Sequence, residues 1–292
     1  MKKIFASTII AFVVLYGRAH AQFAGAVVDY TTGTLVNTDY TGLSYFNNPN
    51  AVLGAPSGLV GVNAGYPGVY SPFDPPFETS SLTGIGAGGQ LTLQLQNYVT
   101  VSPGQYEIGV WSNVGLYDVS PTYIGTTGST AATLSLPNSA VVSVSANGVN
   151  WVALNGSNPI TFGLPGNYYL NAGPYDSAPP ASPQYANFGQ PFTGTLSDFN
   201  NEDYSQVLNT LNGSAGGTWL DLDSTGLSEV GYIRFDGVAD GDELDLSTVS
   251  INSGLAGVAV PEPGTGGLLV LGAGALALWL KRRRAAYQPD KT

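Results

Sequence analysis

Short runs that alternate apolar and polar residues constrain the fold more than any other feature of this chain. In residues 90–96, Leu91, Leu93 and Leu95 alternate with glutamine and threonine, so an extended strand would turn all three leucines to one face. Similar runs, bounded by Gly, Pro, Asn or Asp, occur at 106–112, 132–137, 140–146, 150–154, 232–235 and 244–251. No long segment between 22 and 259 has the 3.6-residue period of a helix. The pattern predicts an all-β protein, an antiparallel β-sandwich or jelly roll.

One helix is nevertheless predicted, within residues 197–213. Ser197 or Asp198 would cap its first turn, acidic residues follow there, and Gly213 would end it.

The glycine-rich stretch 84–89 satisfies the pattern G-x-G-x-x-G through Gly84, Gly86 and Gly89. A dinucleotide site needs a helix after this pattern, because the helix N-terminus holds the pyrophosphate. An alternating strand follows here instead. The stretch is therefore predicted to be a turn that enters a strand.

The charges are distributed unevenly along the chain. Eight of the nine basic residues lie before residue 19 or after residue 280, whereas between 22 and 260 Arg234 stands alone against 18 acidic residues. Such a surface excludes nucleic acid as a partner, because phosphate binding needs clustered Lys and Arg. Divalent cations are the better candidates.

An acidic segment at 236–245 is where a cation site would be expected. Hard oxygen ligands on a glycine-containing loop are what Ca²⁺ prefers, although the spacing is not that of an EF-hand. A Ca²⁺ site and a solvated acidic loop between two strands both fit this segment, and no other cofactor is predicted. The candidate ligands are Asp236, Asp240, Asp242 and Asp245.

The residues available for catalysis are few. The chain has no cysteine, and its single histidine, His20, falls in a segment predicted to be removed. Ser-His-Asp and Cys-His catalysis therefore lack a general base. A carboxylate pair could still hydrolyse glycosides, but no local pattern identifies one. We expect a non-enzymatic protein without catalytic residues.

Aromatic residues in the body leave a binding role open. Trp219 and Tyr168 are candidates for stacking on sugar rings, as in a carbohydrate-binding module. Aromatic residues in strands are also common core residues, and both interpretations fit the sequence.

The amino terminus, residues 1–21, has the pattern of a secretory signal peptide. Lys2 and Lys3 precede an apolar run at 4–16, and Ala19 and Ala21 form the small-residue site that signal peptidase would cleave. The body, residues 22–259, would then be secreted.

The carboxy terminus has three parts: a Pro-Glu-Pro motif, an apolar segment at 266–280 and a basic cluster. Fifteen residues make about 22 Å of helix, which is short of a hydrocarbon core roughly 30 Å thick. The segment is predicted to be a marginal transmembrane helix, with 285–292 as a cytoplasmic tail. The motif residues are Val260, Pro261, Glu262 and Pro263, and the basic cluster is Lys281, Arg282, Arg283 and Arg284.

These three parts, residues 260–284, together resemble the PEP-CTERM sorting signal of Gram-negative bacteria. The resemblance implies that exosortase processes the tail after transient anchoring in the inner membrane. The product would reach the cell surface or an extracellular matrix that contains exopolysaccharide. The eight residues after Arg284 depart from the pattern, because such signals usually end soon after the basic cluster.

Two stretches of the body carry a second resemblance. Residues 144–154, with Asn147, Gly148 and Trp151, resemble a hairpin of discoidin-like, galactose-binding-like jelly rolls, and 230–237 resembles a later strand of that fold. The resemblance implies a galactose-binding-like β-sandwich. The expected function is that of a non-enzymatic surface or matrix protein; the alternatives are a carbohydrate-binding module and a carboxylate-based glycosidase.

Overall fold

A computed structural model of the protein describes residues 22–61, 68–134, 138–238 and 242–261. These residues are mainly antiparallel β-strands with one short α-helix, α1 (Tyr204–Leu211), so the predicted all-β class is confirmed. The strands are β1 (Gln22–Thr31), β2 (Thr83–Ile85), β3 (Gln90–Thr100), β4 (Ile108–Ser112), β5 (Asn138–Ser145), β6 (Val152–Ala153), β7 (Ile160–Phe162), β8 (Thr218–Leu220), β9 (Glu229–Gly237), β10 (Leu244–Ile251) and β11 (Ala256–Ala259).

The strands form one curled sheet in the order β6-β5-β9-β3-β1-β10-β4-β8. Strand β1 joins its two halves: Gln22 and Phe23 pair with β10, whereas the residues from Ala24 onward pair with β3. The pairing with β3 shifts register between Ala24 and Ala26, and an irregularity of this kind bends a strand. The curled arrangement is consistent with the predicted β-sandwich.

The main core is aliphatic and takes residues from both halves of the sheet. Leu91, Leu93 and Leu95 are each at most 1% exposed. They join buried residues of β4, β5, β9 and β10 in one cluster. The alternation at 90–96 therefore predicted this face correctly.

A second, aromatic cluster covers the outer side of β4 and β8. Trp111 and Trp219 meet edge to face there, with ring centroids 5.7 Å apart, and Phe188 lies 5.0 Å from Trp111. Val207 and Leu211 of α1 join the cluster. Strand β10, next to β4 in the sheet, is buried on both faces.

The predicted helix at 197–213 is two elements. A 3-10 turn occupies Leu196–Phe199, and α1 starts only after Asn201, whose φ of 56° is left-handed and breaks the helical path. The cap of α1 is Asp203, whose carboxylate accepts from the Gln206 N–H at 3.0 Å, so the prediction of Ser197 or Asp198 was wrong. The predicted end at Gly213 agrees with the structure, where left-handed Asn212 and Gly213 follow α1.

The glycine-rich stretch 84–89 begins with the last two residues of β2, and its remaining residues form the predicted turn that enters β3. Its glycines permit close contact of backbones: a Cβ added at Gly86 would clash with the carbonyl oxygen of Thr34. No helix follows the pattern, so it provides no pyrophosphate site.

The two stretches that resemble galactose-binding-like proteins lie side by side. Residues 144–154 form a hairpin in which Val144 of β5 pairs with Val152 of β6, and Ser145 Oγ accepts from the Gly148 N–H at 3.0 Å. Strand β9 then pairs with β5 along six residue pairs, from Ala140–Gly237 to Ser145–Tyr232.

No helix within the described ranges is long and apolar enough to cross a membrane. The predicted signal peptide, with Ala19 and Ala21, lies outside the described residues, as does the predicted transmembrane segment at 266–280.

Candidate functional site

The head of the predicted sorting motif lies directly on the sheet. Strand β11 pairs with β3, and the Val260 N–H next to it donates to the Gln96 carbonyl at 3.0 Å. The side-chain Nε2 of Gln94 donates to the carbonyls of Val260, at 3.2 Å, and Pro261, at 2.9 Å. Motif residues Glu262 and Pro263, and the cluster Lys281, Arg282, Arg283 and Arg284, lie outside the described residues.

The four aspartates predicted to bind Ca²⁺ have separate surroundings. Asp236, at the end of β9, accepts from Gln90 Nε2 at 2.6 Å and from Arg234 Nε at 3.2 Å. Asp245 lies within β10 and is fully buried, Asp242 is half-buried, and Asp240 lies outside the described residues. In the part of the chain that the structure describes, no three acidic or histidine side chains converge on one point.

Two acidic residues of this segment, Glu243 and Asp245, instead form a buried pair of carboxyl groups. Glu243 is 4% exposed, and its Oε2 accepts from the N–H groups of Val36, at 2.5 Å, and Asn37, at 3.0 Å. Asp245 Oδ2 accepts from the side-chain amides of Asn37, at 2.7 Å, and Asn113, at 3.1 Å. The sequence interpretation did not select Glu243 as a ligand, although its spacing of two from Asp245 places both on one face of a strand.

The charge of this pair is poorly compensated. Burial raises the pKa of Asp245 well above its usual range, the contacting Glu243 carboxyl raises it further, and the amides of Asn37 and Asn113 oppose the shift. Burial and the two carboxylates also raise the pKa of Tyr30 to about 12.

Three buried oxygens here accept no hydrogen bond from an amide or hydroxyl donor within the described ranges: Glu243 Oε1, Asp245 Oδ1 and Asn113 Oδ1. Glu243 and Asp245 can hydrogen-bond each other when one of them carries a proton. Two touching carboxyl groups must share a proton or bind a cation, because both cannot be ionised side by side without one. The arrangement can therefore hold either.

An open cleft of about 500 Å³ lies beside β8. Trp219 lines it but is only 6% exposed, with its ring against Trp111 and its Nε1 donating to the Gly216 carbonyl at 3.0 Å. Tyr106, 36% exposed, is the more accessible aromatic ring of the cleft. Polar groups of the lining are Asn155, Thr161, Asp221 and Ser224.

The structure does not place Tyr168 in this cleft. Tyr168 is half-buried and packs against Tyr169 and Tyr185, with ring centroids 4.8 and 5.7 Å away. Of these three tyrosines, Tyr185 is the most open to solvent, at 61% exposed.

Comparison with known proteins identifies one part of the chain. Residues 259–284 match the model of the PEP-CTERM protein-sorting motif, whereas no curated protein is significantly similar to the chain. The match spans the Pro-Glu-Pro motif, the apolar segment and the basic cluster, so the predicted resemblance of the tail is confirmed. The chain carries a PEP-CTERM motif, which indicates a secreted, envelope-directed protein sorted by exosortase.

Proposed function

We propose that this protein is a non-enzymatic component of the cell surface or extracellular matrix. Signal peptidase removes residues 1–21, the tail anchors the chain transiently in the inner membrane, and exosortase then processes it. The observation that carries the proposal is the motif at 259–284, joined without a linker to an acidic β-rich body. The lack of histidine and cysteine after residue 21 supports a role without catalysis.

For the body we propose a galactose-binding-like β-sandwich. The pairing of β5 with β9 supports it, because it brings together the two stretches on which the resemblance rests. An aliphatic core that takes residues from both halves of the sheet supports it as well.

Cell fractionation tests the sorting proposal. In a host with exosortase we expect tail-less protein in the surface fraction; in a strain without exosortase we expect full-length protein in the inner membrane. Glu262→Ala should give the second pattern in the first strain, whereas Glu229→Ala, an exposed acidic control in β9, should not. Full-length protein found solely in the inner membrane of the first strain would show a plain anchor instead.

A second candidate function is carbohydrate binding in the cleft beside β8, which is lined by Trp219 and the more open Tyr106. Aromatic rings with nearby hydroxyl and amide groups suit sugar rings. Tyr106→Ala should abolish binding of the host exopolysaccharide in affinity electrophoresis, and Tyr185→Ala, outside the cleft, should leave it intact. Binding that is equal in both variants, or no binding by the wild type, would eliminate this candidate.

We also propose that the native protein binds Ca²⁺ at Glu243 and Asp245 rather than through the four aspartates together. The buried carboxylate and amide oxygens support this site, because Ca²⁺ takes such ligands and would neutralise a pair that otherwise has to share a proton.

A ligand that binds only the native state must raise the melting temperature, so we expect a higher Tm in Ca²⁺ than in EDTA. Asp245→Asn should remove the difference, whereas Asp236→Asn should keep it. An equal Tm in Ca²⁺ and EDTA would refute the site, and loss of the difference in Asp236→Asn would favour the acidic loop.

A further inference from the structure

The first residues of the sorting motif are held by the folded body. The motif match begins at Ala259, which is the last residue of β11 and pairs with Asn97 of β3. Two residues earlier in β11, the Gly257 carbonyl accepts from Asn97 Nδ2 at 2.8 Å. The motif therefore starts as a sheet strand.

Gln94 extends this contact beyond the strand. Its backbone lies between Ala26 of β1 and Tyr232 of β9, and its side chain is 4% exposed, so its position is fixed by both neighbouring strands. The amide Nε2 reaches the carbonyls of both Val260 and Pro261. Because the flanking strands come from distant parts of the chain, this contact exists only when the body has folded.

The side chain of Val260 is also buried against the body. It is 6% exposed and lies over Gly231 of β9, where an added Cβ would approach Val260 Cγ2 to 3.2 Å. Three motif residues, Ala259, Val260 and Pro261, thus have their backbone or side chains engaged by the body.

We infer that Gln94 is a positioning residue for sorting: it docks Ala259–Pro261 on β3, and exosortase acts on the undocked chain. The inference rests on the proposed function. Enzymes that process a peptide commonly bind it extended through its backbone groups, and here Gln94 already occupies the carbonyls of Val260 and Pro261. The rate of processing should then scale with the undocked fraction.

The short length of chain between the docked motif and the apolar segment also favours undocking before processing. With Pro261 docked, only residues 262–265 separate the body from the apolar segment that begins at 266, and four extended residues span at most about 14 Å. Release of 256–261 adds six residues, or about 20 Å, which lets the motif reach an enzyme without the bulk of the body beside it.

The test is the rate of tail loss after a pulse label in the exosortase-containing host. Gln94→Ala removes both hydrogen bonds and should speed tail loss about tenfold, equivalent to about 1.4 kcal/mol. Gln96→Ala is the matched control, because the Gln96 side chain is exposed and only its backbone carbonyl contacts the motif. Its rate should equal that of the wild type. An unchanged or slower rate in Gln94→Ala would overturn the inference.

A destabilised body could also release the motif, so a stability control is needed. Leu246→Ala weakens the core at β10, a strand that does not pair with β11, and should keep the wild-type rate in folded protein. Equal acceleration in Leu246→Ala would show that global unfolding, rather than the Gln94 contact, exposes the motif, and would overturn the inference.

A covalent lock gives the opposite prediction. The chain has no cysteine, and the paired positions Asn97 and Ala259 lie within disulfide reach across an antiparallel pair. Asn97→Cys with Ala259→Cys should slow tail loss at least tenfold when oxidised, and dithiothreitol should restore it; single Ala259→Cys should match the wild type. Processing of the oxidised form at the wild-type rate would refute docking as a restraint. If the wild type itself keeps its tail, the proposed function fails instead.

Discussion

The two faces of β10 are equally buried but are held in different ways. Leu244, Leu246, Val249 and Ile251 belong to the aliphatic core, whereas Asp245, Ser247, Thr248 and Ser250 on the other face are also fully buried. The polar face depends on specific partners: Thr248 Oγ1 donates to the Gly54 carbonyl at 2.7 Å, and Ser250 Oγ donates to that of Phe188. Burial therefore does not predict how a residue responds to pH, ions or substitution; the partners do.

The largest effect should come from the aliphatic face. Leu246→Ala removes a fully buried side chain and should lower the free energy of unfolding by about 3 kcal/mol, because transfer and cavity terms add. Denaturant unfolding measures the loss, which should not change with pH. Val28→Ala, at a position 45% exposed, should change stability by less than about 0.5 kcal/mol. Similar losses in both variants would contradict the assignment of the core.

The polar face should add a dependence on pH in Ca²⁺-free buffer. Because the pKa of Asp245 is raised by burial and by Glu243, the native state holds a proton that the unfolded chain releases above about pH 4. The contribution of Asp245 to stability is thus greatest below that pH and is lost as pH rises through the native pKa, by up to about 1.4 kcal/mol per pH unit.

Asp245→Asn should reduce this slope, because the amide donates to Glu243 without titrating; the slope that remains should come from Asp74, whose pKa burial raises to about 6. Leu246→Ala should keep the full slope. A slope that persists unchanged in Asp245→Asn would assign the titration to another group. Unfolding midpoints measured from pH 4 to pH 7 distinguish the two results.

A smaller loss of stability is expected at Thr248, whose hydroxyl group binds the loop that contains Gly54. Thr248→Val keeps the shape but leaves the Gly54 carbonyl without this donor, which should lower stability by about 1 kcal/mol. The matched variant Val249→Thr puts a hydroxyl into the aliphatic core and should cost more. If both variants were equally stable, the two faces of β10 would not differ in the way described.

The smallest effect should come from charge at the surface. Arg234 lies 4.8 Å from the Trp151 ring and pairs with Asp236, with side chains 26% and 32% exposed. Arg234→Gln should cost less than about 1 kcal/mol, and added salt should reduce the difference, because solvent screens such pairs. A salt-independent loss above about 2 kcal/mol would place this pair with the buried polar groups instead.

Local sequence patterns predicted the parts of the molecule that local contacts decide. The leucines of 90–96, the turn at 84–89 and the hairpin around Asn147 depend on neighbours a few residues away. The helix cap shows a signal that was present but not used: Asp203 followed by Gln206 is a capping-box spacing.

The acidic site could not be predicted in the same way, because its partners come from distant segments. Asn37 and Asn113 reach Asp245 from more than 130 positions away. Asn37 lies in the long connection after β1, and Asn113 follows β4, which pairs with β10. Asp236 likewise hydrogen-bonds Gln90, 146 positions away, as well as its near neighbour Arg234. Trp219 is buried in the aromatic cluster rather than exposed for a ligand. The contact between Val260 and Gln94 spans 166 positions, so local sequence patterns could not predict it either.

The most direct test of sorting is the intact mass of protein extracted from the cell surface. We expect a chain that begins near Gln22 and ends at the Pro-Glu-Pro motif, without the apolar segment and the basic cluster. A surface-extracted chain whose mass includes residues 264–292 would contradict processing of the motif, and with it the account of this protein as exosortase-sorted cargo.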